Sequence, residues 1–139
     1  MFSHVTLGIA DLDRALAFYR PLTAALGLVE KFSTPDIGRF WAGYVHPDHP
    51  RPLFILTQPW DRADPTPGNG TMVAFQLDTR AEVDRIYALA LALGGTDEGA
   101  PGLRAHYHPD YYGGYFRDPD GNKLCLVCHA PEPKAARAR

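Results

Sequence analysis

The feature that most constrains the fold of this chain is an internal repeat. At an offset of 67 or 68 residues, the matches between the two halves include His4 with Met72, Tyr19 with Tyr87, and Gly27 with Gly94. Each half has the same order of patterns, which is one strand, one amphipathic helix and three further strands. Two repeats are too few for a solenoid, and each sheet needs cover, so the halves must pair edge to edge within the chain or with a partner chain. We therefore predict an α+β protein in which two βαβββ modules form a curved, mostly antiparallel sheet around a cup.

The elements of both modules follow from alternation, helical spacing and turn residues. In the first half, Asp11 caps a helix that runs to Leu26 and is ended by Gly27. In the second half, a helix over 79–93 ends at the glycine pair 94–95. The predicted strands are 2–9, 28–33, 38–45 and 53–58 in the first half, and 71–77, 103–107, 111–117 and 123–129 in the second.

These elements predict a single domain over residues 1–129. The first module covers 1–58, and a linker rich in proline and glycine covers 59–70. The second module covers 71–129, and residues 130–139 are predicted to form a disordered tail. The length of 139 residues is in the usual range for one domain.

Composition excludes two classes of partner. Hydrophobic residues make up 45% of the chain, charged residues 22%, and the formal net charge is -2. Nucleic acid and anionic lipid would require a basic surface, which these values do not supply. The apolar run at 88–93 is far too short to span a membrane, and no signal-peptide core follows Met1. We therefore expect a cytoplasmic protein that binds neither nucleic acid nor membrane.

The two cysteines do not form a redox or zinc motif, although their spacing is that of one. Cys125 and Cys128 lie in a predicted strand, where positions three residues apart point to opposite faces. Cys125 shares its face with Val127 and His129. At most one of the two sulfurs therefore faces the cup.

Three stretches resemble a known family, the vicinal-oxygen-chelate superfamily of glyoxalases, bleomycin-resistance proteins and extradiol-type dioxygenases. They are HVTLGIADL at 4–12, AFY at 17–19 ahead of LGL at 26–28, and YFRDPDGNKL at 115–124. The stretch HPDYYGG at 108–114 is similar to the bacterial glyoxalase-like branch. The resemblance spans residues 1 to about 129, and it implies the paired-module fold, a small-molecule substrate and a homodimer.

The resemblance also implies a metal centre whose ligands come from the first and last strand of each half. His4 matches the first ligand, but Ile55, Met72 and Cys125 occupy the other three places, where the family commonly has His and carboxylates. Hard cations prefer oxygen and imidazole donors, so this set argues against the usual chemistry. The remaining imidazole and thiol suit Zn²⁺ or Cu(I), with His4 and Cys125 as ligands.

Three hypotheses follow, and we favour the first. The protein binds a small molecule in its cup and has lost the metal, so no cofactor is expected. Alternatively, it is a glyoxalase-type lyase or isomerase, or an extradiol-type dioxygenase, with a soft Zn or Cu site on His4 and Cys125. Thirdly, it is a metal-free enzyme that uses Cys125 or His108 as nucleophile or base. In each case the predicted lining consists of His4, Thr6, Thr57, Met72, Gln76, Cys125, Val127, His108, Tyr111, Tyr112 and Tyr115.

Overall fold

The computed structural model of the protein describes residues 1–34 and 39–133. The first half contains β1 (His4–Gly8), α1 (Leu12–Ala25), β2 (Val29–Thr34), β3 (Trp41–Val45) and β4 (Leu53–Thr57). The second half contains β5 (Val73–Gln76), α2 (Arg80–Ala92), β6 (Thr96–Leu103), β7 (Tyr112–Arg117) and β8 (Lys123–Cys128). Neither helix of these described residues is long and apolar enough to cross a bilayer.

The strands form two four-stranded sheets with the same order, β1-β4-β3-β2 and β5-β8-β7-β6. In each sheet the first strand of the half pairs in parallel with the last, and the other two pairings are antiparallel. The internal repeat and the mostly antiparallel α+β architecture are thereby confirmed. The strands β1 and β5 each lie at an edge of their sheet.

The N-terminal cap of α1 forms as the sequence predicts, and α2 has a cap of the same kind. The Asp11 side chain accepts a hydrogen bond from the amide of Arg14, and Thr79 caps α2 by accepting from the amide of Glu82. Both helices bury one stripe against the sheets, and the core between them is apolar and aromatic. Its largest buried side chains include Tyr19, Phe18, Phe116, Ile86 and Leu124.

The second strand of the second half is not where alternation predicts it. The structure has β6 at Thr96–Leu103, while residues 105–107 form a turn. The strand contains two glycines and one proline, which are depleted in strands, and its pairing with β7 is interrupted by register shifts around Gly99. The prediction of a strand at 103–107 was therefore wrong. The predicted start of the strand at 38–45, and residues 134–139 of the predicted tail, lie outside the described residues.

A buried polar network joins the second module to the first. Asp118, at the start of the β7–β8 turn, accepts a hydrogen bond from the Tyr19 hydroxyl of α1 at 2.5 Å. Asn122 donates from its side chain both to Asp118 and to the carbonyl of Gly8 at the end of β1, each at 2.9 Å. Asp120 accepts from the amide of Ala10. This turn therefore fixes the second sheet against the start of α1.

Candidate functional site: two half-cups and the groove between them

The sheet face opposite the helices carries the candidate site, and β8 shows how the sequence assigns side chains to it. Leu124, Leu126 and Cys128 belong to the core under the helices. Lys123, Cys125 and Val127 alternate with them and therefore face the other side of the sheet. Cys125 faces the cup and Cys128 does not, in agreement with the sequence prediction, and both are free thiols.

Three side chains form a hydrogen-bonded cluster on this face. The Tyr111 hydroxyl lies 2.9 Å from the Tyr115 hydroxyl and 3.7 Å from the Cys125 sulfur. Cys125 has no exposed surface. Burial raises the pKa of its thiol, although hydrogen bonds from the two tyrosines act in the opposite direction. Burial also raises the pKa of Tyr111 and Tyr115. All three groups are therefore neutral at neutral pH, which weighs against a nucleophilic Cys125.

Slow alkylation of Cys125 is the expected consequence, because only the thiolate reacts and the sulfur is covered. With iodoacetamide at pH 7.5, we expect Cys125 in the Cys128→Ser variant to react at least about 100-fold more slowly than a free thiol. In urea the same thiol should react at the free rate. Mass spectrometry of timed samples measures both rates. A native rate equal to or above that of the free thiol would restore Cys125 as a candidate nucleophile.

Next to this cluster is a cavity of about 510 Å³ with a polar wall. Arg104 and Lys123 both lie over the ring of Tyr115, each 5.4 Å from its centroid. Arg117, in the same wall, is paired with Glu98 at 2.6 Å. The remaining lining residues are Asn69, Gly70, Thr71, Met72, His106 and Tyr107. We call this wall, with the tyrosine and cysteine cluster beneath it, the second-module half-cup.

His108 lies at the far end of this half-cup with both ring nitrogens occupied. Its Nδ1 accepts from the amide of Asp110 at 3.1 Å, and its Nε2 lies 2.8 Å from Nδ1 of His129. Because Nδ1 accepts, Nε2 carries the proton and donates to His129. No nitrogen of His108 is free to take a proton from a substrate, which weighs against it as a general base.

The first module has a half-cup of its own on the corresponding face. Thr6 of β1 and Thr57 of β4 line a cavity of about 650 Å³ together with Arg39 and Trp60. The Arg39 guanidinium carbon lies 5.3 Å from the ring centroid of Trp41 and 5.2 Å from that of Trp60. Cation–π contacts with two indoles hold this charge over the cavity. We call these residues the first-module half-cup.

The four positions that the resemblance assigns to a metal do not fit a hard cation. His4 is exposed and its Nδ1 lies 3.0 Å from the Ser3 hydroxyl. Ile55 is buried and offers no donor atom, Met72 offers a thioether, and the Cys125 thiol is fully covered. Within residues 1–34 and 39–133, no group of three or more His, Cys, Asp or Glu side chains is placed to hold a metal ion.

Two other predicted lining residues take different positions. Tyr112 faces the helices, where its hydroxyl donates to Asp84 of α2 at 2.6 Å and its ring packs against the core. It therefore does not line the cup, because it alternates with Tyr111 and Gly113 along the chain. Gln76 instead lies on the cup face, because it is the cross-strand partner of Val127, and it is exposed at the end of β5.

An apolar groove of about 440 Å³ runs between the two modules at the edge strands β1 and β5. From the first module, Phe2, Val5 and Phe54 line it, and from the second Met72, Val73, Ala74 and Phe75. Phe2 is 77% exposed and Met72 41%. This groove is continuous with the open backbone edges of both sheets.

The site contains four cations that the sequence prediction missed, which are Arg39, Arg104, Arg117 and Lys123. Lys123 was detectable, because it lies two residues before Cys125 in the same predicted strand and therefore shares its face. Arg104 was not detectable, because it follows a strand whose position the sequence does not reveal.

Comparison with known proteins agrees with the fold and the motifs. The model of the Glyoxalase/Bleomycin resistance protein/Dioxygenase superfamily matches residues 1–126. A glyoxalase/bleomycin resistance protein from Albidiferax ferrireducens T118 is 34% identical, with a TM-score of 0.77 over 92% of this chain and 98% of that one.

Two more distant relatives agree with this result. A family enzyme from Burkholderia phytofirmans PsJN, 23% identical, has the same fold, with a TM-score of 0.70 over 92% of this chain and 98% of that chain. The metallothiol transferase FosB of Shouchella clausii is 27% identical over 124 residues, which are 88% of this chain and 75% of that protein. This chain belongs to the Glyoxalase/Bleomycin resistance protein/Dioxygenase superfamily.

Proposed function

We propose that the protein binds a small organic molecule in its cup without the metal centre of its family. The observation that carries this proposal is the donor set. Of the four ligand positions, only that of His4 holds an imidazole, and the one thiol, on Cys125, is buried beneath tyrosines. A centre that lacks three of its usual donors cannot polarise a chelated substrate as the family mechanism requires.

The walls of both half-cups support binding of an organic ligand. Each combines aromatic faces with a few hydroxyl or charged groups, and each encloses a volume typical of small-molecule sites. Trp60 is 86% exposed and Tyr107 62%, which leaves ring faces available for stacking.

The proposal includes a homodimer in which a second copy covers the apolar groove between β1 and β5. Both strands have an unpaired backbone edge within their own sheet, and such edges usually pair or are covered. The groove is lined almost entirely by apolar side chains from both modules. In the proposed dimer the half-cups of the partner lie next to those of the first copy and close the cup. Free Cys125 and Cys128 agree with a reducing compartment such as the cytoplasm.

Metal analysis combined with ligand screening tests the proposal. Protein purified without chelator from medium that contains Zn, Cu and Mn should hold less than about 0.1 metal ion per chain. In a thermal-shift screen of small neutral and charged aromatic compounds, hits should persist in EDTA and in the His4→Ala variant.

Two outcomes would contradict this function. One is stoichiometric Zn or Cu that is lost from both His4→Ala and Cys125→Ser together with ligand binding. That result would establish the soft-metal enzyme as the correct hypothesis. The other is the absence of any hit, whatever the charge of the compound.

A further inference from the structure

We propose that the second-module half-cup binds the oxyanionic group of an aromatic ligand, a carboxylate, phosphate or phosphonate, through Arg104 and Lys123. This inference rests on the proposed function and names the class of ligand. Three features of this half-cup favour such a ligand, namely its two cations, the space made for one guanidinium, and the aromatic surface beside it.

Arg104 and Lys123 supply positive charge to this half-cup. Arg104 and Lys123 share the ring of Tyr115, yet neither has a carboxylate oxygen within 4.0 Å anywhere in the described chain. Arg117 differs, because Glu98 neutralises it in the same wall. Both cations line the same cavity, so two positive charges without a carboxylate partner border one volume. An anion bound in this cavity would be attracted by both charges.

The backbone of β6 makes room for the Arg104 guanidinium. Nη2 of Arg104 donates to the carbonyl of Ala100 at 2.9 Å. A Cβ at Gly102 would lie 3.1 Å from Nη1, and one at Gly99 would lie 3.3 Å from Nη2. Gly99 has a φ of +147°, which side chains rarely adopt. Two glycines at an irregular part of the strand therefore hold a planar, two-pronged donor at the cavity wall, and such a donor suits carboxylate and phosphate geometry.

An aromatic surface adjoins these cations. The rings of His106 and Tyr107 have centroids 4.2 Å apart, and those of Tyr107 and Tyr111 are 4.7 Å apart. Tyr107 and His106 line the same cavity as Arg104 and Lys123. A flat ring stacked on Tyr107 can therefore place an attached oxyanion in the cavity that both cations line. The cavity of about 510 Å³ accommodates a molecule of this size.

Calorimetric titration of the full-length protein with matched probes tests this assignment. Benzoate and phenylphosphonate carry an oxyanion on a ring, benzamide is the neutral counterpart of benzoate, and inorganic phosphate is an oxyanion without a ring. We expect both aromatic anions to bind at least about tenfold more tightly than benzamide and than phosphate. Their affinity should fall as KCl is raised. The preference between benzoate and phenylphosphonate identifies the anion type.

Variants assign the effect to individual residues. Arg104→Gln and Lys123→Gln should each weaken phenylphosphonate binding at least about tenfold. Gly102→Ala should weaken it as well without a change of net charge, since its Cβ would displace Nη1. The matched controls are Arg85→Gln on α2 and Lys31→Gln on β2, which remove exposed charges elsewhere. Thermal unfolding verifies that each variant is folded. If Arg104→Gln does not fold, Gly102→Ala still tests the role of the guanidinium.

Equal binding of benzamide and benzoate would overturn the inference while leaving the proposed function intact. The inference would also be overturned if Arg104→Gln and Lys123→Gln lowered the affinity for the anions no more than the control variants do. The inference also fails if neither aromatic anion binds at 10 mM. A dissociation constant of that size corresponds to a binding free energy of about 3 kcal/mol. If neither anion binds, hits among neutral compounds in the thermal-shift screen would still support the proposed function.

Discussion

The Asp118→Ala variant is expected to lose about 3 kcal/mol or more of the free energy of unfolding, because several buried hydrogen bonds end on this carboxylate. Asp118 is 3% exposed. It accepts from the Tyr19 hydroxyl, from the side chain and amide of Asn122, and from the amide of Asp120. Truncation leaves these donors unsatisfied and disconnects the β7–β8 turn from α1. The modules would then lose a polar connection between residues 99 positions apart.

Urea denaturation followed by circular dichroism measures this effect, and two variants calibrate it. Asp118→Asn keeps the shape but replaces one acceptor oxygen by a donor, so it should lose roughly half as much. Asp84→Ala removes the acceptor of a single, exposed hydrogen bond from Tyr112 and should lose less than about 1 kcal/mol. A loss for Asp118→Ala no larger than that for Asp84→Ala would mean that the network does not stabilise the fold.

Local patterns predicted most of the elements correctly. The helix cap at Asp11, and alternation in the strand that contains Cys125, depend on neighbours a few residues away. The strand at Thr96–Leu103 escaped detection because its pairing with β7 outweighs the low strand propensity of its glycines and proline.

The candidate site was harder to predict than the fold, because its partners are distant in sequence. Tyr111 meets Cys125 across a sheet, and Arg104 meets Tyr115 only because glycines of β6 leave space for it. Alternation assigns a face to a side chain, but it does not say which charges remain without a counter-ion. For Tyr112 the prediction included a residue that does not belong to the site. Its neighbours in the motif face the cup, but its own side chain faces the helices.

Introducing a charged residue into the apolar groove is expected to separate the dimer and, in the same variant, to abolish ligand binding. Phe2→Glu and Phe2→Arg each place a charge where the proposed partner copy must bury apolar surface. Their effect on the folded chain itself should be small, because this side chain is exposed. Analytical ultracentrifugation should give twice the mass of one chain for the native protein and the mass of one chain for these variants.

The control for this prediction lies on the opposite edge of the first sheet. Val29 of β2 is 47% exposed, so Val29→Glu adds the same charge to an exposed apolar position away from the groove, and it should remain dimeric. Native protein with the mass of one chain would contradict the dimer directly. Monomeric variants that bind the screening hits as tightly as the native protein would instead show that each chain closes its own cup. If the two half-cups act only across the interface, dimerisation and binding must weaken together, by the same factor in each groove variant.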